Sequence, residues 1–381
     1  MFTYTSKRQK ILDKQIMRLS ERSDILRFLD PTNKQSEYQQ FIQSGGTYSP
    51  VFSYSDRHIA HIEPVINRIK SIRNQVDTLR DQGNLTQFMR DKCTELVQKF
   101  ELVLAYYRQD TDNIQDLNIK LFGNFQDSIN QTLLPKQGDM LEKQLHVDYH
   151  DLLTPLGLEH NEFLDRKQVY QLIEYHLKHI GLSTYRIVFG LYGSTNMQVS
   201  IGPKPVVYIN KQSSRSSQSL CVSIMHEIYG HLQRYQHGKT SGTHLLQGGM
   251  SYYLTTEEGI AMIQSARIEG FEHTYNRLRQ SYILLKQASG VSRGEGVKLY
   301  QKAGFTNLGF IFRNLLRIKR GVIHTSISGS GCGFLKDKVY FDGFCLVCNY
   351  LCSIGVNTYP IDYDKPIDQE LMRGRVSLPI I

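Results

Sequence analysis

Residues 223–234 read Ser-Ile-Met-His-Glu-Ile-Tyr-Gly-His-Leu-Gln-Arg, and His226, Glu227 and His231 within them are the inventory of a hydrolytic metal site. What the chain can build depends on whether the two histidines can face the same way. The common zinc-binding helix spaces its histidines four apart, on one face. Here they are five apart. Five residues of regular α-helix turn through roughly 500°, so the rings would point roughly 140° apart. One π-type turn removes the conflict. At about 4.4 residues per turn, five residues come to roughly 410°, and such turns cluster at functional sites. Gly230, beside His231, takes away a Cβ at the crowded point and tolerates unusual dihedrals. The sequence therefore predicts a helix that is overwide or broken between His226 and His231.

The flanking sequence agrees with a metal site. Tyr185–Phe189, Met197–Ile201 and Pro205–Asn210 read as three short strands, separated by Gly190, Gly193, Ser194 and Asn196 and then by Gly202 and Pro203. The polar turn Ser213–Ser217 follows, then the histidine helix. A small sheet feeding directly into a metal-binding helix is the arrangement of zincin metalloproteases. Residues 238–251 are a Gly-rich loop, and Thr255 or Thr256 can cap the next helix, which opens Glu257-Glu258-Gly259-Ile260-Ala261. A catalytic zinc site wants three protein ligands and one open position. His226, His231 and either Glu257 or Glu258 would supply them, with His237 and His244 as alternative third ligands. Glu227, directly after the first histidine, stands where the general base stands in related motifs.

Upstream, apolar residues recur at helical spacing over Lys7–Leu29, Ile59–Arg80 (or from Pro64), Leu85–Arg108 and Asp112–Phe125. Residues 165–181 form a well-patterned helix closed by Gly181, with His176 and His179 on or near its apolar side. These are expected to be packed or surface histidines rather than ligands. The fold class expected is α+β and mostly helical: a helical region over 1–150, then a zincin-like core over 151–381 with a small mixed sheet before the histidine helix.

Composition narrows the partners. A net charge of +9 over 381 residues is modest, so nucleic acid is not the expected partner, though the sign suits an acidic peptide. No apolar run approaches the ~18 residues of a membrane span. Cys345, Cys348 and Cys352 fall on one helical face among apolar neighbours, which reads as buried thiols, as do the other three cysteines. Free thiols and the lack of an apolar leader after Met1 point to the cytoplasm. The Gly-rich stretch 321–333 lacks nucleotide-binding spacing.

At the metal motif the chain resembles the family of the microtubule-associated tyrosine carboxypeptidases and the bacterial QEGLA-motif proteins. That family reads HExxxH, a Gly-rich loop, then [TQ]-E-G-[LI]-A, matched by His226-Glu227…His231 and by Glu257-Glu258-Gly259-Ile260-Ala261. Its acidic ligand precedes the glycine, so the resemblance implies Glu258 rather than Glu257. Pro50-Val51-Phe52-Ser53-Tyr54, Leu121-Phe122-Gly123, Arg320-Gly321 and Phe334–Gly343 resemble further elements of the family, so the likeness runs from about residue 35 onward. Thr256-Glu257 replaces the bacterial glutamine version, and the stretch between Gly321 and Gly333 is unusually rich in Ser and Gly.

The resemblance implies a zinc carboxypeptidase acting on the C-terminal tail of a peptide or protein and releasing an aromatic residue. Such an enzyme needs a cation for the terminal carboxylate, and Arg320 and Lys336 lie in motif segments. It also needs an oxyanion donor, for which His244, Tyr252 and Tyr253 are candidates. The competing readings are a non-catalytic or regulatory protein of the same fold, which the presence of Glu227 argues against, and a zinc endopeptidase with an open groove.

Overall fold

A computed structural model describes residues 3–21, 23–55, 59–125, 135–158, 163–190, 197–202, 204–210, 216–326, 333–355, 369–372 and 374–378. The chain is mostly helical with one small mixed sheet, the α+β composition its sequence suggests. It divides into two compact units, Met1–Thr5 with Gln131–Arg277 and Asp342–Ile381, and Ser6–Asn130 with Leu278–Phe341. The chain leaves the first unit after Arg277 and re-enters it at Asp342. Among the described residues no helix is long and apolar enough to cross a membrane.

The first unit holds the metal motif. Strands β1 (Arg186–Gly190), β2 (Met197–Ser200) and β3 (Val206–Asn210) pair in the order β1-β3-β2. β1 runs parallel to β3 with Val188 opposite Tyr208, and β2 runs antiparallel to β3 with Val199 opposite Val207. The turn residues Gly193, Ser194, Asn196, Pro203 and Ser213–Arg215 lie outside the described residues. The helix Arg166–His179 begins at a reciprocal cap: Gln168 N donates to Asp165 Oδ1, and Asp165 N to Gln168 Oε1, both at 2.8 Å. It ends before Gly181, whose φ of +77° suits glycine. Its apolar face, Val169, Leu172, Ile173 and Leu177, is fully buried in one core with Val207, Ile209, Ile224, Ile228 and Leu232.

His176 is buried on that face and makes no metal site. A carbonyl can only accept, so Nε2–H donates to Leu152 O at 3.1 Å. Nδ1 then accepts from the Tyr229 hydroxyl at 2.8 Å. Burial lowers its pKa from 6.5 to about 4. The folded protein thus resists a proton that the unfolded chain accepts. The stability this neutral histidine contributes is present above about pH 6.5 and declines as pH falls through about 4, by up to ~3 kcal/mol. Urea unfolding at pH 7 and pH 4.5 should show a smaller acid loss in His176→Gln than in the native protein. Equal losses would sink this assignment.

Two helices frame the motif. Ser216 caps the first by accepting from Ser219 N at 3.3 Å. It runs as Ser217–Ile224, Met225–Leu232 and Gln233–Thr240, and the middle eight residues are a π-helix. The distortion that the five-residue spacing demands is present where it was expected. The second helix, Leu254–Glu269, is buried continuously from Thr256 to Ile268, as befits a helix at the centre of a core. A Cβ on Gly230 would lie 2.9 Å from Ala261 Cα and Cβ, so glycine sets how closely these helices approach. Gly259 does the same against the helix Lys338–Ile354, where a Cβ would lie 2.2 Å from Gly343 O. On that last helix Cys345 and Cys348 are buried and Cys352 is half-buried. They, Cys93 and Cys221 are free thiols, and Cys332 lies outside the described residues.

In the second unit the long N-terminal helix stops at Glu21 rather than near Leu29. Asp24 accepts from Leu26 N at 3.1 Å and starts a separate short turn, Ile25–Arg27. Ile59–Asp77 carries Pro64 inside it, and Asn84–Arg108 and Thr111–Phe122 follow, the last closing at Gly123. The segment Leu278–Phe341 groups here because Pro50–Tyr54 is stitched to it. Phe52 N donates to Ile323 O at 3.0 Å, Thr325 Oγ1 to Pro50 O at 2.6 Å, and Gly321 N to Tyr54 Oη at 2.9 Å.

Candidate metal centre

The π-turn places both histidine rings on the face toward the helix Leu254–Glu269. Their centroids are 5.1 Å apart, with the planes crossed at 80°. His231 Nε2 lies 3.6 Å and His226 Nε2 4.0 Å from Glu258 Oε2. One ligand atom from each of the three residues falls within 4.8 Å of the others, the one such cluster among the described residues.

The far side of each ring fixes its proton. Ser265 Oγ donates to Ala261 O at 3.3 Å, so its lone pair accepts from His226 Nδ1–H at 3.2 Å. Glu257 Oε1 can only accept, so His231 Nδ1–H donates to it at 2.9 Å. Both rings thus hold an Nδ1–H away from Glu258 and turn Nε2 toward it, the orientation that backing hydrogen bonds give metal-binding histidines. Two imidazole nitrogens and a carboxylate oxygen are a donor set that zinc accepts, and the residues present fit a divalent ion. Burial lowers the His226 pKa to about 3, so this ring is neutral. For His231 burial also works against charge, but the Glu257 hydrogen bond and the charges of Glu258, Glu257 and Glu227 outweigh it and raise the pKa to about 9. Those carboxylates favour a positive charge at His231 Nε2, and a metal ion would take the place of the proton there.

Glu227 points its carboxylate at the sheet. β2 is an edge strand, so the Val199 N–H is available to donate to Glu227 Oε2, at 3.1 Å. Burial is the main influence on this carboxyl. Glu258 adds to it, His231 and the Val199 N–H oppose it, and the pKa rises to about 7. A carboxylate poised near neutrality suits a general base.

Glu257 stands outside the three-residue cluster and behind His231. Its carboxylate is 1% exposed and is held by Arg234 Nη1 on Oε2 and by Arg375 Nε at 3.2 Å from Oε1. Burial of Glu257 is outweighed by Arg375, Arg234 and His231, which hold its pKa down at about 2. Arg375 also stacks over the Tyr253 ring, 4.4 Å from its centroid. In the sequence Glu257 stands out only as an alternative ligand, and Ser265, Arg234 and Arg375 carry no signal of their own in the motif. Ser265, two turns after Glu258, and Arg234, one turn after His231, share the helix faces of the ligands, and only that spacing is readable.

None of the remaining candidates, His237 included, is in the ligand cluster. His237 Nδ1 donates to Met372 O at 2.7 Å. His244 opens the short helix His244–Gly248 and its backbone N–H donates to the Tyr4 hydroxyl at 3.1 Å. Tyr252 is exposed at a φ of +53°, and Tyr253 supports Arg375. Arg320 and Lys336 belong to the other unit. There burial lowers the Arg320 pKa against the pull of Asp337 and Asp30, and Lys336 Nζ lies 5.7 Å from the Tyr340 ring centroid.

A family model described as microtubule-associated tyrosine carboxypeptidase matches residues 39–358. Comparison with curated proteins gives no match.

Proposed function

The chain belongs to the microtubule-associated tyrosine carboxypeptidase family, a family of peptidases that act on C-terminal tails, and on that premise we propose that it is a zinc-dependent carboxypeptidase releasing an aromatic C-terminal residue. We read the sheet, the histidine helix and the helix Leu254–Glu269 as a zincin-like core. The observation that carries this reading is the π-turn, which turns His226 and His231 toward Glu258 and leaves Glu227 beside them. His226, His231 and Glu258 would hold the zinc ion, which supplies Lewis acidity when bound. Glu227 takes a proton from the attacking water and passes it to the leaving amine. Glu257 and Ser265 keep the rings from turning away. The net charge of +9 draws an acidic tail toward the protein, and the free thiols suit the cytoplasm.

Elemental analysis should find about one zinc per chain in the native protein and none in His231→Ala. Zinc content unchanged by that substitution would remove His231 from the ligand set. A peptide library varying only its last residue, followed by mass loss, should show single-residue release favouring Tyr and Phe. Internal cleavage would overturn the carboxypeptidase reading.

A further inference from the structure

The family match stops at residue 358, yet Leu371, Arg375, Val376 and Leu378 lie against the metal motif. Arg234 Nε donates to Leu371 O at 3.0 Å and its Nη2 to Val376 O at 3.1 Å. Arg375 N donates to Leu246 O at 2.9 Å, and Met250 N donates to Arg375 O at 3.0 Å, so the segment's backbone is fixed on both sides of Arg375. Leu378 N donates to Thr256 Oγ1 at 2.9 Å, one residue before Glu257. These bonds deliver the Arg375 guanidinium to Glu257 Oε1, while Arg234 holds Oε2 of the same carboxylate.

We infer that the described residues 374–378 are a strap belonging to the metal centre, and that Arg375 is a positioning residue that sets zinc affinity through Glu257 and His231. The inference rests on the zinc reading of His226, His231 and Glu258. Its physical basis is the position of Glu257. One oxygen, Oε1, accepts both from His231 Nδ1–H and from Arg375 Nε–H. With both arginines in place the carboxylate has one position, and the imidazole it holds has one orientation. Without Arg375 the carboxylate can swing toward Arg234, His231 loses its fixed acceptor, and Nε2 no longer stays aimed at the metal. Outer partners of this kind change metal affinity by about 10–100-fold.

The test is zinc affinity of the full chain by competition with a chelator, with circular dichroism as the check on folding. Arg375→Ala should weaken zinc binding by about 10–100-fold, and Arg375→Lys should recover most of the loss. Glu257→Ala should weaken it at least as much, with Glu257→Gln, which still accepts from Nδ1–H, between the two. In the Glu257→Ala background the Arg375→Ala change should add no more than about two-fold, because Arg375 acts through Glu257. Affinity within about two-fold of native in folded Arg375→Ala and Arg375→Lys, or additive losses in the double variant, would overturn the inference while leaving zinc binding itself standing. A native chain that binds no zinc would overturn the reading beneath it.

Discussion

Glu227→Gln should abolish release of the terminal residue while leaving about one zinc per chain. The substitution keeps the volume, and its amide oxygen can still accept from the Val199 N–H that Glu227 Oε2 now uses. Only the ability to take and return a proton is removed. General acid–base groups contribute about 10²–10⁴-fold, and one group serving both proton transfers belongs at the upper end. A fall in kcat of at least about 10³-fold, at unchanged zinc content and thermal midpoint, is the expected result. Turnover within about ten-fold of native would take the general base away from Glu227 and leave Val199 as the reason for its position.

The second large effect is on folding. Gly259→Ala would put a Cβ 2.2 Å from Gly343 O and 2.4 Å from Gly343 C. These are backbone atoms, so no side chain can rotate to make room. The reverse also holds, since a Cβ on Gly343 would come 2.0 Å from Thr255 O. The two glycines face each other where the helices Leu254–Glu269 and Lys338–Ile354 cross, and Glu258 is the residue next to that crossing. Gly259→Ala is expected to cost at least about 3 kcal/mol, at the upper end for overpacking, and to lower zinc content with it. The control is Gly294→Ala. Its Cβ would meet nothing within 4 Å, and the position lies inside the helix Arg293–Lys302, so the substitution should be neutral or stabilising by up to about 1 kcal/mol. Urea unfolding of the two variants separates crowding from helix propensity. Equal midpoints would show that the crossing tolerates a methyl group.

How much of this was legible depended on how local the cause is. His226, Glu227 and His231 are read from spacing, and the π-turn follows because no other turn gives five residues a common face. The strands are read from alternation and from the glycines between them. The N-terminal helix was read too long because apolar spacing continues through Leu26 and Phe28, while the Asp24 side chain satisfies a backbone N–H locally and ends the run. The division of the chain could not be read, because the pairing of Pro50–Tyr54 with residues 321–325 spans more than half the sequence and follows no spacing rule. Arg375 was hidden for the same reason, 118 residues from the carboxylate it holds. Glu257 was visible as one of two adjacent carboxylates, but nothing in the sequence said that it would carry the histidine.

The π-turn also says something about descent. A π-turn is an α-helix that has taken in one extra residue without losing its direction, and here the chain enters and leaves the segment with ordinary helical dihedrals at Ile224 and Gln233. Removing a single residue between Glu227 and His231 would return the segment to α geometry with the histidines four apart, still on one face. His231 and Arg234 would keep their spacing, and so would everything beyond them. HExxxH and HExxH are then two spellings of one surface, a single codon apart. A lineage could cross between them in one step with the two histidine rings still sharing a face.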